Sequence, residues 1–280
     1  MSLDEARAKS QALWDRMASG WTKHRDFMWD ATKQVGQWLV DHVDPQPGDT
    51  VLDIAAGPGA SGFIAAERVG DDGKLISTDF AEAMVEAARD LGAHLGVTNA
   101  EYKTMDAEHM DLPDDSVDGI VCRWGFMLML DPQSALKETR RVLKPGGRLA
   151  FSVWGTPADN PWVTTMGMIL TMRGKPPQGD PFGPGGMFSM SEHDRIRAMV
   201  TEAGYTNVDI EDMKVAWTFD DFEAFWSFQT ELAGAVAALV AELPPDEVED
   251  LRKDLKEGLE PFRTGDGYDL PGTTINVMAS

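Results

Sequence analysis

Much is scarce in this 280-residue chain, and each scarcity excludes something. There is one cysteine, Cys122, so no internal disulfide can form. It lies in the apolar run GIVC, the setting of a buried, inert thiol. Positive charge is short: 25 Lys and Arg stand against 47 Asp and Glu, a formal net charge of −22. A protein that tracks a nucleic-acid backbone or an anionic lipid surface needs the opposite balance. The longest apolar run, Leu232 to Ala241, is far short of the roughly 20 residues that span a bilayer. The opening MSLDEARAKSQ is polar and lacks a signal peptide's apolar core, so a soluble, cytoplasmic protein with no membrane insertion is expected. The five histidines form no H-x-x-x-H, there is no C-x-x-C, and no metal site is expected.

What is present is regular. Hydrophobic residues make up 42%, enough for a sizeable core. Residues 3–43 read as helical, with apolar residues at helical spacing, and DPQPGD (44–49) as a turn. From residue 50 strands and helices alternate: strands at 50–55, 74–78, 101–105, 117–123 and 148–153, helices at 60–69, 81–95 and 134–143. Such alternation implies βαβ units and a parallel sheet covered on both faces. After Gly155 the rhythm breaks into a Pro- and Gly-rich loop (174–186) and a helix opened by a capping box, Ser189-Met-Ser-Glu192, and closed at Gly204. Two strand candidates, or one bent strand, follow at 207–211 and 214–219, then an apolar-rich helix at 222–243 and a second one in which Val248, Leu251, Leu255 and Leu259 share a face. The tail TTINVMAS reads as the last strand.

The fold class expected is α/β, a doubly wound, Rossmann-like, mostly parallel sheet of seven strands with helices on both faces. An N-terminal helical cover (1–45) precedes a core at 46–155. A cap insert (156–190), a core continuation (191–220), a helical insert (221–266) and a final strand (267–280) follow. Inserts that follow strand ends sit over the ligand crevice of such a sheet.

The first strand runs into VLDIAAGPGASG (51–62). Glycines here suit a phosphate at a helix N-terminus or a plain tight turn. No Gly-Lys-Ser/Thr follows, which excludes a P-loop, and Asp53 just before the turn would repel pyrophosphate. It suits a ligand with a positive charge and hydrogen-bond donors. The segment resembles motif I of the class I S-adenosylmethionine-dependent methyltransferases, with Ala55 where the family often has glycine. Four further segments agree in order. STDFAEAM (77–84) resembles the second-strand motif, and KTMDAEHMDLPDDSVDGIVC (103–122) the acid after the third strand with the fourth strand. LKETRRVLKPGGRLAFSVWG (136–155) resembles the P-G-G turn and fifth strand, and FSMSEHDRIRAMVTEAGYTNVDI the late helix–strand unit. The loop lengths and the RVLKPGG turn resemble the ubiquinone/menaquinone-biosynthesis type of small-molecule enzyme.

This resemblance implies S-adenosylmethionine as cofactor, S-adenosylhomocysteine as product, and a small-molecule acceptor. It implies that Asp53 organises the first loop near the methionine ammonium, and that Ala55, Gly57 and Gly59 let the backbone approach. Asp79 would accept both ribose hydroxyls, since a carboxylate matches a vicinal diol. Phe80 and Met84 would pack on adenine, Asp106 would take the exocyclic amine, and the Ala107 backbone would read the ring edge. Trp21 and Trp124 would border the cofactor. Arg123 would offer its carbonyl to the ammonium, or its guanidinium to the substrate or to the cofactor carboxylate.

The family often has a histidine or other polar group after the fourth strand. Here that place reads RWGFMLMLDP, which favours a hydrophobic acceptor and removes the usual base. His24, in WTKHRDFMW on the helical cover, is the histidine candidate for a catalytic base, weighed against a helix-packing role. Phe126, Met127, Trp154, Trp162, Phe182 and Trp226 are candidate acceptor-lining residues, weighed against ordinary core. Rival readings are a non-catalytic cofactor-binding regulator or idle paralogue, a nicotinamide-dependent reductase, and a methyltransferase acting on protein or nucleic acid. The acid balance disfavours nucleic acid as partner. A homo-oligomer is compatible with the sequence.

Overall fold

The computed structural model describes residues 3–232 and 234–280; Ala233, inside the helix expected over 222–243, and the first two residues of MSLDEARAKSQ lie outside the described residues. Two helices, α1 (Leu3–Lys23) and α2 (Arg25–Val43), precede β1 (Thr50–Ile54) and α3 (Ala60–Val69). The alternation continues through β2 (Lys74–Asp79), α4 (Glu82–Leu95), β3 (Ala100–Thr104), β4 (Val117–Arg123), α5 (Pro132–Val142) and β5 (Leu143–Trp154). Then come α6 (Pro161–Met172), α7 (His193–Glu202) and β6 (Val208–Phe219). Helices α8 (Phe222–Leu232), α9 (Gly234–Ala241) and α10 (Pro245–Leu259) lead to β7 (Arg263–Thr264) and β8 (Gly267–Ala279).

The strands lie in one sheet in the order β3-β2-β1-β4-β5-β8-β6, with the two-residue β7 paired to β8. Strands β1 to β5 are mutually parallel, and β8 runs antiparallel between β5 and β6. The seven expected strands are all there, and β7 is the addition. Leu52, Ile120, Leu149 and Phe151 are almost wholly buried on one face of the sheet; Val51, Val121 and Ala150 pack against Leu39 and Val40 of α2 on the other. Burial of both faces is why these strands read as near-continuous apolar runs.

Four local expectations are corrected. The helical stretch 3–43 breaks at His24 into α1 and α2. The helix expected over 222–243 is two helices, α8 and α9, bent by 102°. The capping box does not form. Glu192 caps α7 without a side-chain bond, and the Ser189 hydroxyl donates instead to the carbonyl of Met127, 2.7 Å away. Strand β5 starts at Leu143 rather than Arg148; the KPGG excursion is a bulge between Val117↔Leu143 and Gly119↔Arg148.

The hairpin of β6 and β8 outruns the sheet. β5 pairs with β8 only from Ala279 to Thr274, whereas β6 follows β8 back to Tyr268. This overhang carries Trp217, and Trp162 of α6 and Phe228 of α8 pack on that ring. Both inserts therefore sit beyond the C-terminal ends of the parallel strands, where α/β sheets bind ligands.

Candidate active site

The β1–α3 loop is set by close approaches. Ala55, Gly57 and Gly59 have φ of 51°, 53° and 93°, a left-handed path that glycine takes at no steric cost and alanine takes with strain. A Cβ at Gly57 would meet nothing within 4 Å, so the backbone there faces open space. At Gly62 a Cβ would stand 2.5 Å from the Asp53 carboxylate. Gly62 is thus the third glycine the motif requires, and its N–H donates to Asp53.

Asp79, at the end of β2, holds this loop. Its Oδ2 accepts from the Gly57 N–H at 2.9 Å and its Oδ1 from the Ala81 N–H at 3.0 Å. One lone pair on each oxygen remains, the pattern that suits a vicinal diol. Burial, opposed by these N–H donors, raises the Asp79 pKa to about 6. Burial likewise lifts Asp53 to about 7, against the charge of Arg123 and the Gly62 N–H. Its Oδ2 is buried without a partner.

Helix α1 lies over the strand ends. The Gln11 amide donates to the Phe80 carbonyl at 3.0 Å, and Asp15 accepts from the Ala83 N–H at 3.2 Å. Arg7 pairs with Glu108 and faces Asp106 at 3.7 Å. Trp14, Trp21 and Ala18 pack on Ala81 and Met84. The Trp21 indole N–H is buried without a partner. Asp106 accepts from the Glu108 N–H at 2.9 Å through Oδ1, closing a turn, while Oδ2 faces Arg7. Ala107 is buried in the same turn.

Trp124 follows β4 with φ of 60°, strained for a bulky residue. Its indole donates to Thr274 Oγ1 at 3.1 Å and stacks on Trp154 at 4.3 Å. Trp154 meets Trp162 at 4.9 Å, and Trp162 stacks on Trp217 at 4.3 Å. Trp124, Trp154 and Trp162 come together in a stack whose fourth ring, Trp217, reads in the sequence only as part of a strand, and all four rings are buried. Phe126 and Met127 are corrected: they are 0% and 1% exposed. Phe126 packs on Phe151 at 4.9 Å, and the Met127 sulfur accepts from the Trp154 N–H. Phe182 stands apart, 52% exposed. Trp226 and Phe222 share the Arg252 guanidinium, 4.7 and 5.0 Å from their rings, away from the stack.

His24 is fastened to the cap. Its Nε2 lies 2.8 Å from Glu231 Oε2, and its ring meets Phe228 edge-on at 5.6 Å. Lys23 donates to the same carboxylate at 2.7 Å. Despite burial, these donors hold Glu231 down at about 2. The other histidines sit elsewhere: His193 pairs with Asp212 at the surface, and His109 is exposed beside Asp106. Among the described residues no group of three His, Cys, Asp or Glu could hold a metal. Cys122 is buried and its thiol is pushed well up by burial. No single described helix is long and apolar enough to cross a membrane. Sequence reasoning did not single out Arg7, Gln11, Asp15, Thr32, Trp217 or Glu231, none of which had a local signal, whereas Gly62 stood in the glycine motif.

Known proteins agree with this geometry. Residues 45–167 match the family model described as Methyltransferase domain. An arsenite methyltransferase of Halobacterium salinarum is 33% identical over 59% of this chain and 39% of its own length. The ubiquinone/menaquinone biosynthesis C-methyltransferase UbiE of Teredinibacter turnerae is 36% identical over 41% and 47%. The aklanonic acid methyltransferase DauC of a Streptomyces species is 37% identical over 42% and 54%. The chain spans about half the length of the curated relatives it matches. In fold it is similar to the putative methyltransferase solved with the Haloferax volcanii Trm112 activator. That chain has 21% identity and a TM-score of 0.58, with 96% of each chain covered. Residues 45–167 resemble a methyltransferase domain, and with its flanking elements the chain resembles the class I S-adenosylmethionine-dependent methyltransferases, the ubiquinone/menaquinone-biosynthesis enzymes among them.

Proposed function

We propose that the chain transfers a methyl group from S-adenosylmethionine to a small, hydrophobic acceptor, aromatic or lipid-like, and releases S-adenosylhomocysteine. The observation that carries this reading is Asp79. It anchors the glycine loop through Gly57 and keeps one lone pair per oxygen for a ribose diol. The rest of the pocket fits the same group. The Gly57 backbone faces open space, and Met84 with Ala81 forms an apolar seat beneath α1. Asp53 Oδ2 and the Trp21 N–H are buried polar atoms that a ligand would satisfy. When bound, the cofactor supplies an activated methyl on a sulfonium, so the protein's part is to orient the acceptor and keep water out. The indoles of Trp124, Trp154 and Trp162, gathered on the wholly buried Trp217, support a planar or lipid-like acceptor. His24, oriented by Glu231, is the candidate base, and no metal is invoked.

Fold alone does not decide the chemistry, since a [4+2]-cyclase, SpnF, shares it at 18% identity and a TM-score of 0.55. The test is titration calorimetry with S-adenosylhomocysteine and with NADPH, then a radiolabelled-methyl screen of aromatic and prenylated acceptors. Binding of the nucleoside with turnover is the expected result. NADPH binding alone points to the reductase reading, and tight nucleoside binding without turnover to a non-catalytic binder.

A further inference from the structure

Helix α8 buries a stripe at helical spacing, Phe222, Phe225, Gln229 and Leu232, with Phe228 beside it. All but the glutamine are apolar, as a core stripe requires. Gln229 is 1% exposed. Its amide nitrogen donates to the Trp162 carbonyl at 2.6 Å. That bond fixes the sense of the amide, because the reversed group would set oxygen against oxygen. Oε1 is therefore the free end, and it is buried with no hydrogen-bond partner among the described residues. The neighbouring indoles do not serve it. The Trp162 N–H is taken by Asn160 Oδ1, and the Trp217 nitrogen lies against Gly272, where a Cβ would stand 3.1 Å from it. A buried acceptor left unmet opposes folding, and a leucine in the stripe would fill the same space without that cost. Stability alone gives no reason for an amide here.

The surroundings are those proposed for the acceptor. Phe228, the residue before Gln229, meets the rings of His24 at 5.6 Å, Trp217 at 5.5 Å and Trp162 at 6.2 Å. Two residues after Gln229, Glu231 holds His24. One short stretch of α8 thus reaches both the candidate base and the tryptophan rings. We propose that Gln229 is a positioning residue that selects the acceptor: its Oε1 accepts a hydrogen bond from a hydroxyl on the planar molecule held by these rings. A fixed, buried acceptor of this kind discriminates strongly, since an analogue without the hydroxyl leaves it unpaired, whereas an apolar wall barely tells such analogues apart. The acceptor is thereby narrowed from any aromatic or lipid-like compound to one that carries a hydroxyl on or beside its ring. The inference rests on the methyl-transfer reading for the molecule's role, and on the geometry of α8 alone for its hydroxyl.

The test uses the whole chain, saturated with S-adenosylhomocysteine, in equilibrium dialysis against 2-naphthol and two analogues that cannot donate, the smaller 2-fluoronaphthalene and the larger 2-methoxynaphthalene. Wild type should bind 2-naphthol roughly tenfold or more tighter than either analogue. In Gln229→Leu that preference should fall below about twofold through weaker binding of 2-naphthol, with the analogues and S-adenosylhomocysteine bound as before. Gln229→Glu at about pH 5, its buried carboxyl protonated, presents the same carbonyl and should restore the preference. A glutamine with a merely structural role would change the melting temperature and leave the ratio alone. A wild-type preference under about twofold would assign Oε1 to a trapped water and overturn the proposal. A preference that survives in Gln229→Leu, or no binding of 2-naphthol at all, overturns it as well. Should Gln229→Leu not fold, the wild-type ratio and Gln229→Glu decide. With S-adenosylhomocysteine bound, each of these failures leaves the methyltransferase reading standing. If no nucleoside binds, that reading fails, and the same ratios measured without it decide the role of Gln229.

Discussion

Raising the pH from about 4 to 7 should loosen the ligand-free protein and tighten its hold on the nucleoside, both through Asp79. The folded-state pKa of Asp79 is raised from 3.8 to about 6. Between those values the folded state binds more protons than the unfolded chain, so this residue's contribution to stability falls as pH rises through the window. The shift of about two units corresponds to on the order of 3 kcal/mol across it. Asp53, raised from 3.8 to about 7, adds a loss of the same sign that extends to neutral pH. Nucleoside binding runs the other way. With one N–H already on each Asp79 oxygen, two ribose hydroxyls need the ionised carboxylate as acceptor. Each pH unit below about 6 therefore costs roughly tenfold in affinity. The assay is calorimetry with S-adenosylhomocysteine in two buffers of different ionisation enthalpy, which counts released protons, with thermal melts of the free protein alongside. In Asp79→Asn the part of both slopes due to this group should vanish, and affinity should drop by on the order of 2–4 kcal/mol for two charge-assisted hydrogen bonds. Affinity that is flat with pH, or unchanged in Asp79→Asn, refutes the ribose assignment.

Gly62→Ala should cost on the order of 1–3 kcal/mol in a denaturant melt, because its Cβ would press within 2.5 Å of the buried Asp53 carboxylate. A neutral result would mean that α3 shifts freely. Trp217→Ala should destabilise by about 3–5 kcal/mol, as expected for a large ring buried in the core. His24→Ala should slow turnover more than it weakens cofactor binding, and Glu231→Gln should follow it in the same direction by freeing the ring. Equal losses in turnover and binding would make this pair a structural clasp and remove His24 as a base.

The first half of the sheet was legible because short apolar runs alternate with helices between glycine and proline breaks. Helix 60–69 and strand 117–123 fall where the pattern puts them. The cofactor loop was legible for the same reason, since φ near 51–93° at Ala55, Gly57 and Gly59 demands small residues that a sequence displays. What was hidden depends on distant partners. Ser189 reads as a cap but has a better acceptor in Met127 O, 62 residues away in sequence. The partner of Arg123, Thr32, is separated by 91 residues, and that of His24, Glu231, by 207. The aromatic residues could be counted but not sorted. Phe126 and Phe182 have equal hydrophobicity, yet one is wholly buried and the other stands in solvent, because packing, not composition, chooses between them.

Helix α1 is pinned along its whole length. Arg7 and Gln11 tie it to the turns after β3 and β2, Asp15 ties its middle to α4, and Lys23 with His24 binds its far end to α8. A nucleoside seated beneath it, as the proposed function places it, would not leave until several of these ties open together. Unfastening them is slow compared with side-chain motion, and its rate does not depend on how nucleophilic the acceptor is. Acceptors reactive enough to outpace that opening would then share one ceiling on turnover, set by the clasp, while slower chemistry, as after loss of a base, falls below it.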